Sequence, residues 1–206
     1  MSAWEHTFEI DDYRQSAERE LSCLTEQKQI AFAAWCCKRL LPAPNALDNS
    51  LSCQFDFIRE ILDSVWQYIV NAEVRTEFIS GAIRWCLDVK CDDDCRKDIR
   101  NQLEDALAAV YSTLEGILSN TLKNVALVGE TAFEAAHHAA VDEYTCGEPT
   151  VFGPEAASEM LEATAESPFV KREIEIQTKQ LDYLLNCGEI SLDDRHRFDF
   201  DEEPDP

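Results

Sequence analysis

Ile30-Ala31-Phe32-Ala33-Ala34-Trp35-Cys36-Cys37, inside the longer stretch Gln27–Leu41, is the run whose reading decides the fold. It reads as an amphipathic helix, stopped by Pro42, which has no N–H and restricts the residue before it. After a turn holding Pro44, Asn45, Asn49 and Ser50 comes a second helix, Phe57-Ile58-Arg59-Glu60-Ile61-Leu62-Asp63-Ser64-Val65-Trp66. Residues 25–70 are the most apolar part of the chain, so the other helices are expected to pack on them.

Working outward, helical stripes recur at three- and four-residue steps. Residues 9–24 place Ile10, Tyr13, Ala17, Leu21 and Leu24 on one face, and Thr25 can cap the helix over 26–41. Residues 52–71 turn Ile58, Ile61, Leu62, Val65, Trp66 and Ile69 inward. Residues 74–89 do so with Phe78, Ala82, Ile83 and Cys86. A fifth helix, ending at 119, carries Ile99, Leu103, Ala106, Val110, Leu114 and Ile117. Asn120 can cap the sixth, over 121–144, whose stripe Val125, Gly129, Ala132, Ala136 and Ala140 is small enough to let another backbone approach. After a Gly/Pro loop, Pro154 can open a short helix to 163. Ser167-Pro168 caps the last helix, to 186, with Val170, Ile174, Leu181, Leu184 and Leu185 inward and Gly188 suited to its C′ turn. With no period-2 pattern, the expected fold is all-α: a compact bundle of about seven or eight helices over 1–188, then an acidic tail over 189–206.

Across the 206 residues, 41 acids face 18 bases, a formal charge of −23. Such a surface repels phosphates, which argues against direct nucleic-acid or anionic-membrane binding and favours a basic partner, although acidity also serves plain solubility. There is no basic, apolar leader and no run long enough to span a bilayer, so a cytoplasmic protein is expected. Nine cysteines, mostly in helical contexts, read as reduced thiols.

Gln27–Leu41 followed by Ile58–Trp66, together with Ser167-Pro168-Phe169-Val170-Lys171-Arg172-Glu173-Ile174-Glu175-Ile176-Gln177, resembles the bacterial YjaG-like family, domain of unknown function 416. The resemblance spans roughly 10–187 and rests on apolar spacing plus Trp66, Pro168, Glu173 and Gln177. It implies a cytoplasmic all-α fold and brings no reaction, cofactor or catalytic residue. The cysteine-rich turn at 86–95 and the acidic tail look like additions to the family pattern.

Each candidate site has a bland reading beside it. Cys86, Cys91 and Cys95 can supply thiolates to zinc, but no fourth ligand is evident nearby, and idle thiols fit as well. Glu130, Glu134, His138 and Asp142 share a helical face that is either half a metal site or a solvated flank. Cys36 or Cys37 as nucleophile, and Trp35 or Trp66 as ligand stackers, compete with core packing. Asp92, Asp93 and Asp94 are helix-capping residues or a partner surface. Asp199, Asp201, Glu202 and Glu203 form a loose terminus or an acidic recognition tail, with Phe198 and Phe200 as anchors.

No catalytic residue, cofactor or metal is expected. The expected function is a bacterial immunity protein that binds and neutralises a toxic effector, with a basic nuclease toxin as partner and Asp92, Asp93, Asp94, Asp199, Asp201, Glu202 and Glu203 as contacts. The alternatives are a housekeeping adaptor of the same family and a metal enzyme on the 130–142 face.

Overall fold

The computed structural model of the chain describes residues 10–42, 51–71, 73, 76–90, 97–145, 159–160 and 163–198. Among the described residues the fold is all-α. The helices with described bounds follow in order: α1 (Ile10–Leu21), α2 (Glu26–Arg39), α3 (Ser52–Asn71), α4 (Thr76–Asp88), α5 (Lys97–Ser119), α6 (Leu122–Tyr144) and α7 (Pro168–Asn186), and then a 3-10 turn, Leu192–His196; residues 159–160 and 163–165, ahead of α7, are helical as well.

Two helices make the centre. All eight residues from Ile30 to Cys37 are buried, so α2 is covered on every side, by α3, α5, α6 and α7. The small-residue helix α6 packs on α1, α2, α5 and α7. Gly129 explains its close approach: a Cβ there would lie 3.0 Å from Gln177 Oε1 and 3.0 Å from Phe32 Cε1.

The apolar stripes of α3 and α5 are buried as their spacing predicts. In α4 the inward positions are Ile79, Ala82 and Cys86, with Phe78 and Ile83 only half-buried. Leu185 of α7 is exposed, against expectation. Burying Leu181 and Leu184 together with Glu173, Gln177 and Gln180 aims the helix so that Leu185 points away from the core.

The helix ends differ from expectation in instructive ways. Ser167 does cap α7: its hydroxyl accepts from Phe169 N at 3.3 Å, with Pro168 at the first helical position. Thr25 occupies the N-cap of α2 without a side-chain bond. Asn120 does not cap α6. It sits at φ 48°, the left-handed residue that ends α5, while Thr121 is the N-cap of α6. Gly188 makes no left-handed turn either, because the C-cap of α7, Cys187, leaves in extended conformation. Lys28 takes over that end, donating to Leu184 O at 2.7 Å and Cys187 O at 2.8 Å, a cation at the negative end of a helix.

The stretch after Gly188, expected to be solvated, packs on the body as far as Phe198. Trp35 Nε1 donates to Asp194 O at 2.9 Å. The Asp194 carboxylate accepts from Tyr183 Oη (2.5 Å), Ser191 N (2.9 Å), Ser191 Oγ (2.8 Å) and Arg197 Nε (2.9 Å). Phe198 stacks edge-on to Trp35 at 4.8 Å and to Tyr183 at 6.0 Å. Phe198 is thus engaged within the chain, where the sequence suggested an anchor for a partner.

Candidate functional site

The main polar feature inside the bundle starts on α2. Arg39, at its C-terminal end, meets Glu173 of α7 with Nη2–Oε1 2.6 Å and Nε–Oε2 3.0 Å. Both side chains are more than nine-tenths buried. The remaining guanidinium nitrogen, Nη1, donates to Trp35 O, and Nη2 donates to Cys36 Sγ as well. Glu173 accepts a further bond from Gln177 Nε2 at 2.7 Å. Gln177 also donates to Gly129 O at 3.0 Å and accepts from Tyr13 Oη. One saturated network therefore ties α1, α2, α6 and α7 together, as a buried ion pair requires. Glu173 holds the Arg39 guanidinium above its ordinary pKa even though burial opposes this.

This pair borders a groove of about 320 Å³ between α5 and α6. The antiparallel α5–α6 hairpin brings Asp105 opposite Ala136 and His138, with Asn101 and Gln102 above and Asp142 one turn along α6. Ala132, Ala135, Ala136 and Ala139 form the groove's apolar wall, so the small-residue stripe of α6 serves packing on one side and leaves a concavity on the other. Burial raises the Asp105 carboxyl above its ordinary pKa. His138 opposes that, and Glu134 and Glu104 add to it. Burial, then the neighbouring His138, keeps His137 below its ordinary value, and its Nε2 lies 3.2 Å from Thr164 Oγ1.

The structure divides the residues singled out by sequence. Glu130 leaves the proposed face of Glu134, His138 and Asp142: it is buried and pairs with Arg14 at 3.4 Å. His138 and Asp142 line the groove. Cys36 and Cys37 are wholly buried, and burial pushes both thiols up to about 12, which makes them poor nucleophiles. Trp35 and Trp66 are core residues, 5.7 Å apart. Asp92, Asp93, Asp94, Asp199, Asp201, Glu202 and Glu203 lie outside the described residues, as do Cys91 and Cys95. Among the described residues no three His, Cys, Asp or Glu side chains gather as a metal-holding group. No helix among them is long and apolar enough to cross a membrane.

Sequence reasoning missed the Arg39–Glu173 pair and Asp105. Glu173 and Gln177, four apart on α7, were visible as part of the family resemblance, but their burial was not. Asp105 carried no signal, since one acid in a chain with 41 is inconspicuous.

A solved structure of a DUF416 family protein from Shewanella baltica OS155 is similar, with a TM-score of 0.65 at 16% identity, covering 88% of this chain and 90% of that one. At that identity the likeness speaks for the fold alone. No curated protein matches the chain. The model of the family described as "Protein of unknown function (DUF416)" matches residues 16–195, and the chain belongs to that family.

Proposed function

We propose that this protein is an inhibitory binding protein: an immunity protein that neutralises a cognate toxic effector by binding it, with a basic nuclease as the toxin its charge fits best. The observation that carries this reading is the formal charge of −23 on a helical domain. A nuclease needs a positive groove for phosphates, and an acidic inhibitor is steered onto such a groove and competes with its substrate. The described cysteines and tryptophans most suggestive of chemistry are engaged in packing, which also favours binding over reaction. The fittest contacts remain the acidic clusters at 92–94 and 199–203, joined by the acids along the α5/α6 groove.

The test is co-purification with candidate toxins, plus a killing assay with and without this protein. Protection should depend on the acidic clusters, and association should slow steeply as salt rises. Protection that survives neutralising those clusters would overturn the charge-based mechanism. An adaptor role within the family predicts a captured cellular partner and no effect on killing.

A further inference from the structure

We propose that the cavity between α3, α4 and α5 is a binding site for a small neutral ring compound of the size of phenol or indole, with the ring on an aliphatic floor and a polar group at the mouth. The site goes beyond the inhibitory reading above and does not depend on it.

The cavity has a structural cause. α3 and α4 follow one another in the chain, and both pack on α5. Near the start of α3 and the end of α4, the rings of Phe57 and Trp85 meet edge-on at 4.6 Å. Two aromatic side chains in contact set the spacing of the helices there. Towards the connection the lining side chains are Ile61 and Val65 of α3 and Ile79 of α4, which are shorter, and about 160 Å³ stays open. Protein interiors otherwise hold few voids larger than a water. An engineered apolar cavity of ~150 Å³ stays dry and takes up benzene, so the space here matches one ring.

The lining sets the chemistry of the occupant. Ile61, Val65, Ile79, Leu114 and Ile117 are buried and still border the cavity, so they form its floor. A ring placed there supplies the dispersion contacts that the gap denies them. Phe78, half-buried on the same lining, adds an aromatic partner for it. The mouth is polar, with Ser64, Gln67, Asn71 and Glu73. Asn71 Nδ2 donates to Gln67 Oε1 at 3.2 Å. That bond keeps Gln67 Nε2 as a donor and Asn71 Oδ1 as an acceptor for a ligand hydroxyl or ring N–H. Charge selects against anions: Glu73 and the formal charge of −23 repel a carboxylate, and any ion would lose its water on the aliphatic floor.

The experiment titrates the full chain, labelled at its Ile, Leu and Val methyls, with phenol, indole and toluene, and with benzoate as the charged comparator. Phenol and indole should give saturable NMR shifts at Ile61, Val65, Ile79, Leu114 and Ile117 and compete with each other. The methyls of Val128 and Leu184, buried elsewhere in the core, should stay in place. Saturation is expected at about millimolar concentration, the range that burying a single ring supplies. Benzoate should bind at least about 10-fold more weakly than phenol. Ser64→Phe puts a ring into the same space and should abolish binding. The Ser64 hydroxyl bonds within its own helix, to Glu60 O at 3.1 Å, so that variant should keep its melting temperature. Gln67→Ala, at an exposed position, should weaken phenol by about 2- to 10-fold, the scale of one neutral hydrogen bond, and leave toluene unchanged. Shifts that do not saturate, shifts spread evenly over the core methyls, benzoate as tight as phenol, or a folded Ser64→Phe protein that still binds would each overturn the site. Equal weakening of phenol and toluene by Gln67→Ala would overturn the role assigned to the mouth.

Discussion

Arg39 and Glu173, 134 positions apart, face each other across the α2–α7 contact in a two-point ion pair. Because both are buried, breaking the pair from one side strands a charge. Arg39→Met or Glu173→Leu alone should destabilise the fold by roughly 3–5 kcal/mol. The double variant should recover most of that loss, since two apolar groups leave nothing unpaired. Urea denaturation of the four species in a double-mutant cycle reads the coupling. Additive single losses would contradict this account.

Gly129 and Gly81 both lie inside helices and should respond oppositely to alanine. At Gly129 the new Cβ meets Gln177 and Phe32 at 3.0 Å, and overpacking costs about 1–3 kcal/mol. At Gly81 a Cβ meets nothing within 4 Å, so helix propensity acts alone and adds about 0.5–1 kcal/mol of stability. Thermal melts of the two single variants decide between this and a uniform glycine effect.

The strap after α7 should confer acid sensitivity. Burial alone would raise the Asp194 pKa, but the bonds from Tyr183, Ser191 and Arg197 outweigh it and hold the carboxyl at about 2. A folded-state pKa below the unfolded one means that the contribution is fully present above the ordinary aspartate value near 3.8 and is lost as pH falls from there towards 2. Asp194→Asn should lower stability at neutral pH and flatten its fall across that window. An unchanged acid limb would exclude Asp194 as its source.

Thiol reactivity should divide the described cysteines by burial. Cys23 and Cys53 are exposed and should react promptly with Ellman's reagent in the native protein. Cys36 and Cys37, raised to about 12 inside the core, should react only as fast as the chain opens. Mass mapping after a timed pulse distinguishes the two classes.

Most of the helical layout was legible in the chain. Periodicity placed the stripes of α3 and α5, and Pro42 and Ser167-Pro168 marked boundaries, because these are local effects of backbone sterics and side-chain spacing. Asn120 and Gly188 were misread because several residue types suit a helix end: Asn120 ends α5 at φ 48° and leaves the N-cap of α6 to Thr121, and at Gly188 a distant helix supplies the cap. Lys28, reaching from α2, does the work assigned to Gly188.

By itself, then, the amino-acid order determined an all-α chain with α2 inside it and a strongly negative charge. Only tertiary structure decided which polar residues are buried together, that Glu130 leaves its expected face for Arg14, and that Phe198 closes over Trp35. It also decided that the alanines of α6 border a groove facing Asp105. The physical reason is range. Helix formation and apolar stripes depend on neighbours three or four positions away. An ion pair, a cap borrowed from another helix or a concave wall depends on which distant segments arrive at the same place.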